Sequence, residues 1–193
     1  MQKRQLGPCV TFFPQPTTLV ATRDENDKIN LMMASWVGIV SKTPPTIAVS
    51  LNHKRKTLAN IRVTKDFSIN LVNSELAVAA DACGLISGHD ADKQAITGIK
   101  TVAAELTGAP LVEQSPLNVE CRYVQEVELG DYRLVMAEIL EIHAIEAAFD
   151  DAGKADVAAF DPLAYLGGIR EYRALGDQVA DAYKSGLELL PKK

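Results

Sequence analysis

The chain has 193 residues, 47% hydrophobic and 23% charged, with a formal net charge of −5. That size and apolar fraction suit one globular domain, and they exclude a disordered chain, a fibre, a collagen or a disulfide miniprotein. Mild acidity and an aromatic content of 6% give no footprint for nucleic acid.

At the N-terminus, Lys3 and Arg4 are followed by no long apolar core, and Pro14 and Pro16 interrupt the nearest candidate. No secretory signal is expected there. No apolar run approaches the roughly 18 residues of a membrane span. Cys9, Cys83 and Cys121 are odd in number and widely spaced, which argues against a disulfide framework or a zinc ribbon. They read as separate thiols in a reducing cytoplasm.

The first half reads as short strands with turns between them. Thr17 to Arg23 is rich in β-branched residues and ends at the turn Asp24-Glu25-Asn26-Asp27. Asn30 to Ser41 reads as the next strand, and Thr46 to Leu51 follows Pro44-Pro45. Thr57 to Thr64 carries Leu58 and Ile61 at helical spacing and predicts a short helix. Phe67 to Val72 is strand-like again. In the middle, Asn73 or Ser74 can cap a helix running towards Cys83 and Gly84, and Ser87 to Lys93 is a polar loop. Leu117 to Leu129 and Tyr132 to Ile145 flank Gly130-Asp131 as a hairpin. Gly176 to Leu190 reads as a helix through Val179, Ala182, Tyr183 and Leu187. Together these elements predict one domain over residues 1–193, mainly β with helical insertions, as a closed or nearly closed barrel.

The common catalytic signatures are missing: no Gly-x-Gly-x-x-Gly, no Walker lysine loop, no Gly-x-Ser-x-Gly. His53, His89 and His143 lack metal-ligand spacing, so no metal site is expected. Three local features remain. His53-Lys54-Arg55-Lys56-Thr57 is a basic cluster just before a predicted helix, where free N–H groups, the dipole and cationic side chains suit a phosphate. From local sequence alone, a solvated basic turn is the plainer reading. Asn30 to Trp36 holds the single Trp, Met32 and Met33, and small polar groups, either against a flat ring or as an ordinary core strand. Tyr165 to Tyr172 contains Gly167-Gly168, which permits close approach to a ligand or simply makes a turn.

In this order the features resemble the flavin reductase-like family of FMN-binding split β-barrels, particularly its flavoredoxin-like branch. The resemblance runs through Pro14 to Leu19, Asn30-x-x-x-x-Ser35-Trp36, Pro44-Pro45, and Ser50-Leu51-Asn52 into Arg55-Lys56-Thr57. It continues through Asn60-Ile61, Phe67-x-x-Asn70, Asp92-Lys93 and Tyr165-x-Gly167-Gly168-x-x-x-Tyr172, covering roughly residues 8 to 176. It implies a homodimer that binds FMN near the subunit interface. Asn30, Met32, Met33, Ala34, Ser35 and Trp36 would lie along the isoalloxazine, and Ser50, Leu51 and Asn52 would continue that wall. Arg55, Lys56 and Thr57 would hold the phosphate with help from Lys93, and Tyr172 would cover the ring or close the pocket.

No side chain is then expected to be catalytic, because the flavin carries its own redox chemistry. The implied activity passes electrons from NADH or NADPH through FMN to flavin or another acceptor. The alternatives are a flavoredoxin-like carrier serving a protein redox partner and a non-catalytic flavin-binding protein. One departure bears on the choice: many reductases of this family carry Gly-Asp-His where this chain has Gly130-Asp131-Tyr132.

Overall fold

The structure is a computed structural model, and it describes residues 1–10 and 13–191. Its principal sheet has seven strands in the order β3-β2-β6-β9-β10-β5-β4. These are β2 (Thr18–Arg23), β3 (Ile29–Ala34), β4 (Val37–Lys42), β5 (Pro45–Asn52), β6 (Asp66–Leu71), β9 (Leu117–Leu129) and β10 (Tyr132–Ala144). Every pairing within it is antiparallel.

The order forces the sheet to roll. Strands β3 and β4 are its two edges, yet Ser35 and Trp36 alone join them. Laid flat, seven strands about 4.8 Å apart would separate the edges by roughly 29 Å. Three Cα steps of about 3.8 Å each reach only about 11 Å. The sheet therefore curls into a barrel split between β3 and β4. The long hairpin β9–β10 turns at Gly130, whose φ of 58° suits a residue without a Cβ.

Adjacent residues of β2 and β3 feed opposite cores. Val20, Met32 and Ala34 join Val49, Leu51, Phe67, Ile69 and Val135 inside the barrel. Leu19, Ala21 and Leu31 join Val72, Ala80, Cys83 and Val112 on the other face. Burial on both faces explains why these strands read as near-continuous apolar runs. Helix α1 (Lys56–Thr64) sends Leu58 and Ile61 into the barrel core. Helices α2 (Ala77–Leu85) and α3 (Lys93–Thr97) lie on the other face. A separate sheet pairs β1 (Pro14–Pro16), β11 (Leu163–Leu166) and β12 (Glu171–Ala174). The short pair β7 (Thr101–Ala103) and β8 (Pro110–Val112) and the one-turn helix α4 (Val157–Phe160) complete the named elements.

Three local expectations are corrected. Asn30 to Ser41 is two strands, because the chain must cross the split at Ser35-Trp36. Helix α2 starts at Ala77, while Asn73 accepts from the Leu76 N–H in the turn before it. The tail is not an α-helix: it is turns and a 3-10 segment, Ser185–Leu189. Val179, Tyr183 and Leu187 are exposed, so no surface stabilises the helix that their spacing suggests. No helix among the described residues is long and apolar enough to cross a membrane.

Candidate functional site

Two adjoining pockets, each of about 310 Å³, open beside the barrel split. They share Met32, Asn52, Arg55 and Tyr132. The first is cationic and lies at the start of α1. The second is walled by aromatic rings, with β3 and β5 along one side.

The first pocket follows from the uncapped beginning of α1. Arg55 occupies the N-cap without a side-chain cap bond, and the first turn holds no acidic residue. The helix thus presents unpaired N–H groups and the positive end of its dipole. Lys54, Arg55, Lys56 and Lys93 line the same space. The loop is held from behind. The His53 N–H donates to the Asp131 carbonyl at 2.9 Å, and His53 Nδ1 lies 3.0 Å from the same oxygen. The Lys54 N–H donates to Asn52 Oδ1 at 3.1 Å.

The cations are not equivalent. Lys56 Nζ is 3.2 Å from Asp24 Oδ2, in the β2–β3 turn. Lys93 is buried, and its Nζ donates to the Cys83 carbonyl at 2.7 Å, near the C-terminus of α2. That is a favourable place for a cation. Burial lowers the Lys93 pKa, the Cys83 thiol opposes that fall, and the charge of Arg55 adds to it. Like charges facing one cavity are relieved by an anion placed between them.

Asn30 joins this pocket to the barrel wall. Its Nδ2 donates to Thr57 Oγ1 at 2.8 Å, which leaves the Thr57 hydroxyl proton available to another acceptor. Asn30 Oδ1 is buried without a hydrogen-bond partner. Gly88 presses against it: a Cβ built on Gly88 would lie 1.9 Å from that oxygen.

In the second pocket the rings come in pairs. Trp36 and Tyr132 have centroids 5.0 Å apart at 40°, and Tyr165 and Tyr172 have centroids 5.4 Å apart at 38°. Such tilted pairs make rigid walls. The Ser50 N–H donates to the Trp36 carbonyl at 2.9 Å, fixing the residue that crosses the split. Gly84 of α2 lets the helix approach β3, where a Cβ on Gly84 would be 3.3 Å from Met33 Cβ.

All fourteen residues singled out in the sequence line these pockets. Asn30, Lys56, Thr57 and Lys93 line the first, and Met33, Ala34, Ser35, Trp36, Ser50, Leu51 and Tyr172 line the second. Met32, Asn52 and Arg55 line both. The pockets also contain Lys54, Gly84, Ser87, Gly88, Tyr132 and Tyr165, which lie outside that set. Lys54 belonged to the basic run and Tyr165 to the glycine-flanked segment, so local signals existed for both. Tyr132 belongs to the Gly130-Asp131-Tyr132 turn that departs from the family's pattern, whereas Gly84, Ser87 and Gly88 arrive through long-range packing, for which the sequence carries no local signal.

Residues 10–176 match the model of the flavin reductase like domain. The chain belongs to that family. Its fold is the flavin reductase-like split barrel, as the solved structures show. A flavoredoxin from Desulfovibrio vulgaris (Miyazaki F) is 32% identical, with a TM-score of 0.90 over 96% of this chain and 100% of that one. A flavoredoxin from Methanosarcina acetivorans is 30% identical, with a TM-score of 0.90 over 98% of this chain and 100% of that one. The reductase component of a 4-nitrophenol 4-monooxygenase/4-nitrocatechol 2-monooxygenase from Rhodococcus opacus is 26% identical over 75% of this chain and 74% of its own length. Within the flavin reductase-like family, then, this chain is similar both to flavoredoxins and to a monooxygenase reductase component. The family match ends at Gly176, where the exposed tail begins.

Proposed function

We propose that this protein is an FMN-binding oxidoreductase that takes electrons from NADH or NADPH and delivers them to a flavin or another acceptor. The carrying observation is the continuity of the two pockets. A cationic, uncapped helix start opens directly into an aromatic-walled slot of matching size. The residues present fit FMN by their own chemistry. Arg55, Lys56, Lys93 and the Thr57 hydroxyl suit a dianionic phosphate. Asn30 Nδ2 holds Thr57 by donating to its hydroxyl oxygen, which leaves the Thr57 proton for the phosphate. Trp36, Tyr132, Tyr165 and Tyr172 suit a flat ring.

FMN, when bound, supplies the hydride-accepting and electron-transferring chemistry. The protein's part is to bind, orient and shield it. Strands β3 and β5 offer backbone groups along the ring pocket, where polar contacts would tune the reduced form. In this reading the protein works as a cytoplasmic homodimer. The two flavoredoxins, each similar over nearly the whole chain, favour a second reading, in which FMN stays bound and the acceptor is a redox protein. Tyr132 at the junction of the pockets points the same way, since it stands where many reductases of the family carry histidine.

The test is direct. Protein purified without added flavin should be yellow and release FMN on denaturation. Rapid mixing with NADH and with NADPH should bleach the visible flavin band. Turnover of added free FMN supports the reductase reading, whereas bleaching without turnover supports the carrier. A protein with no affinity for FMN refutes both.

A further inference from the structure

Asp81 has no place in the reading above, yet it touches the ring pocket through one wall residue. The Tyr172 hydroxyl donates to Asp81 Oδ1 at 2.7 Å. Asp81 sits on α2 three residues before Gly84, and this spacing puts both on one helical face. Gly84 lines the pocket itself. One face of α2 therefore brings Gly84 against β3 and Asp81 against Tyr172.

Tyr172 comes from β12, in the separate three-stranded sheet. That sheet is tied to the rest of the molecule by the Thr17 N–H donating to the Leu163 carbonyl at 3.1 Å and by Leu163 itself in the outer core. Tyr172 also packs against that core, which seats its ring but leaves its hydroxyl end to be fixed. The Tyr172–Asp81 bond fixes that end, and Tyr165, its cross-strand partner, packs beside the ring with centroids 5.4 Å apart. A phenol has one proton to donate, and here it is directed to Asp81.

We infer that Asp81 is a positioning residue that holds Tyr172 as an aromatic wall of the ring pocket, with the Tyr172 hydroxyl committed to the tether and not to proton transfer. This rests on the reading that the pocket holds FMN. Burial raises the Tyr172 pKa and the neighbouring carboxylate raises it further, so the phenol keeps its proton in agreement with this geometry.

The experiment uses the full chain, D81A, D81N, Y172F and the double variant D81A/Y172F. FMN is titrated in, the long-wavelength flavin band and flavin fluorescence are recorded, and FMN release is timed. D81A and Y172F should each release FMN about three- to tenfold faster, as expected for one lost part-buried hydrogen bond, and should shift the band alike. The double variant should be no worse than either single one, because both remove the same bond. D81N keeps an acceptor without the charge and should rescue both band and release to within about twofold. Unfolding temperatures of the flavin-free variants identify any variant that fails to fold, and D81N and Y172F then carry the comparison. The inference is overturned if D81A and Y172F match the wild-type band and release rate, or if their effects add. Wild-type protein that does not bind FMN refutes the cofactor reading, and this inference with it.

Discussion

Lys93 and Arg55 face one cavity from different elements, α3 and the N-cap of α1, and the charge of Arg55 helps to depress the Lys93 pKa. Among the described residues neither forms an ion pair with a carboxylate. The two charges are held together by the fold, and an anion between them would remove the repulsion.

This relationship predicts the phosphate's share of binding. R55A should weaken FMN about tenfold or more, since a charge-assisted hydrogen bond contributes roughly 1.5–3 kcal/mol. Riboflavin, which lacks the phosphate, should lose much less affinity than FMN in R55A. FMN affinity should also fall as pH rises through the depressed Lys93 pKa, because the deprotonated amine no longer attracts the anion. Titrations with FMN and riboflavin across pH 7 to 10 check this. Equal losses for both ligands in R55A would remove the phosphate assignment.

What was legible in the sequence follows from how local each signal is. Arg55, Lys56 and Thr57 are contiguous and precede a helix, so their meeting needs no knowledge of the fold. The strands announce themselves through β-branched residues in Thr18–Arg23 and through the alternating Phe67, Ile69 and Leu71 in Asp66–Leu71. The break at Ser35-Trp36 is invisible locally, because it arises only when the sheet rolls and its edges must be joined. Tyr132 reaches the site because the hairpin turn is bound to the loop at His53, a contact spanning 78 residues. The tail shows the reverse case. Its helical spacing is real, but nothing packs on it, and spacing alone does not stabilise a helix of that length in water.

Gly88 should be intolerant of any side chain. The Cβ of G88A would overlap Asn30 Oδ1, so either the loop or Asn30 must shift. Moving Asn30 breaks its bond to Thr57 at the start of α1. FMN affinity should drop roughly tenfold, the order expected for one lost buried polar contact and a displaced neighbour. Gly38 is the control, since nothing lies within 4 Å of a Cβ there. G38A should bind FMN as wild type does. Isothermal titration of the two variants decides it, and a G88A protein with wild-type affinity would show that the close approach of Gly88 to Asn30 is not needed for binding.

Glu120 should govern acid stability. Its carboxylate is fully buried, yet it accepts from the Glu105 and Leu106 N–H groups at 2.9 Å each, from the Thr107 hydroxyl at 2.9 Å and from His143 Nε2 at 2.8 Å. Burial alone would raise its pKa, but the His143 bond and the other donors outweigh it and bring the value from 4.5 to about 2. A folded-state value below the unfolded one contributes stability above about pH 4.5, and that contribution is lost as pH falls towards 2. E120Q should therefore flatten the fall in unfolding free energy between pH 5 and 2. It should also lower stability at pH 7 by about 1–3 kcal/mol, because an amide satisfies fewer of these donors. Urea unfolding at a series of pH values measures both. An unchanged acid slope in E120Q would assign the acid sensitivity to other carboxylates.

Tyr132 tests which of the two redox readings applies. Its ring lines both pockets and packs on Trp36 at 5.0 Å, so a change there alters the junction and leaves the barrel core in place. Tyr132 follows Gly130-Asp131, where many reductases of the family have a histidine. If the tyrosine is what holds this chain to carrier behaviour, wild type should react slowly with NADH and NADPH, and Y132H should react several-fold faster. The imidazole is smaller than the phenol ring, which opens space beside Trp36, and it adds a group that titrates near neutrality. The Y132H rate should then change between pH 5.5 and 8, whereas the wild-type rate should not change with it. Stopped-flow reduction of the FMN-loaded proteins over that range supplies the comparison. Identical rates and pH profiles would mean that the residue at this turn does not separate reductase from carrier in this chain, and the distinction would have to lie with the acceptor.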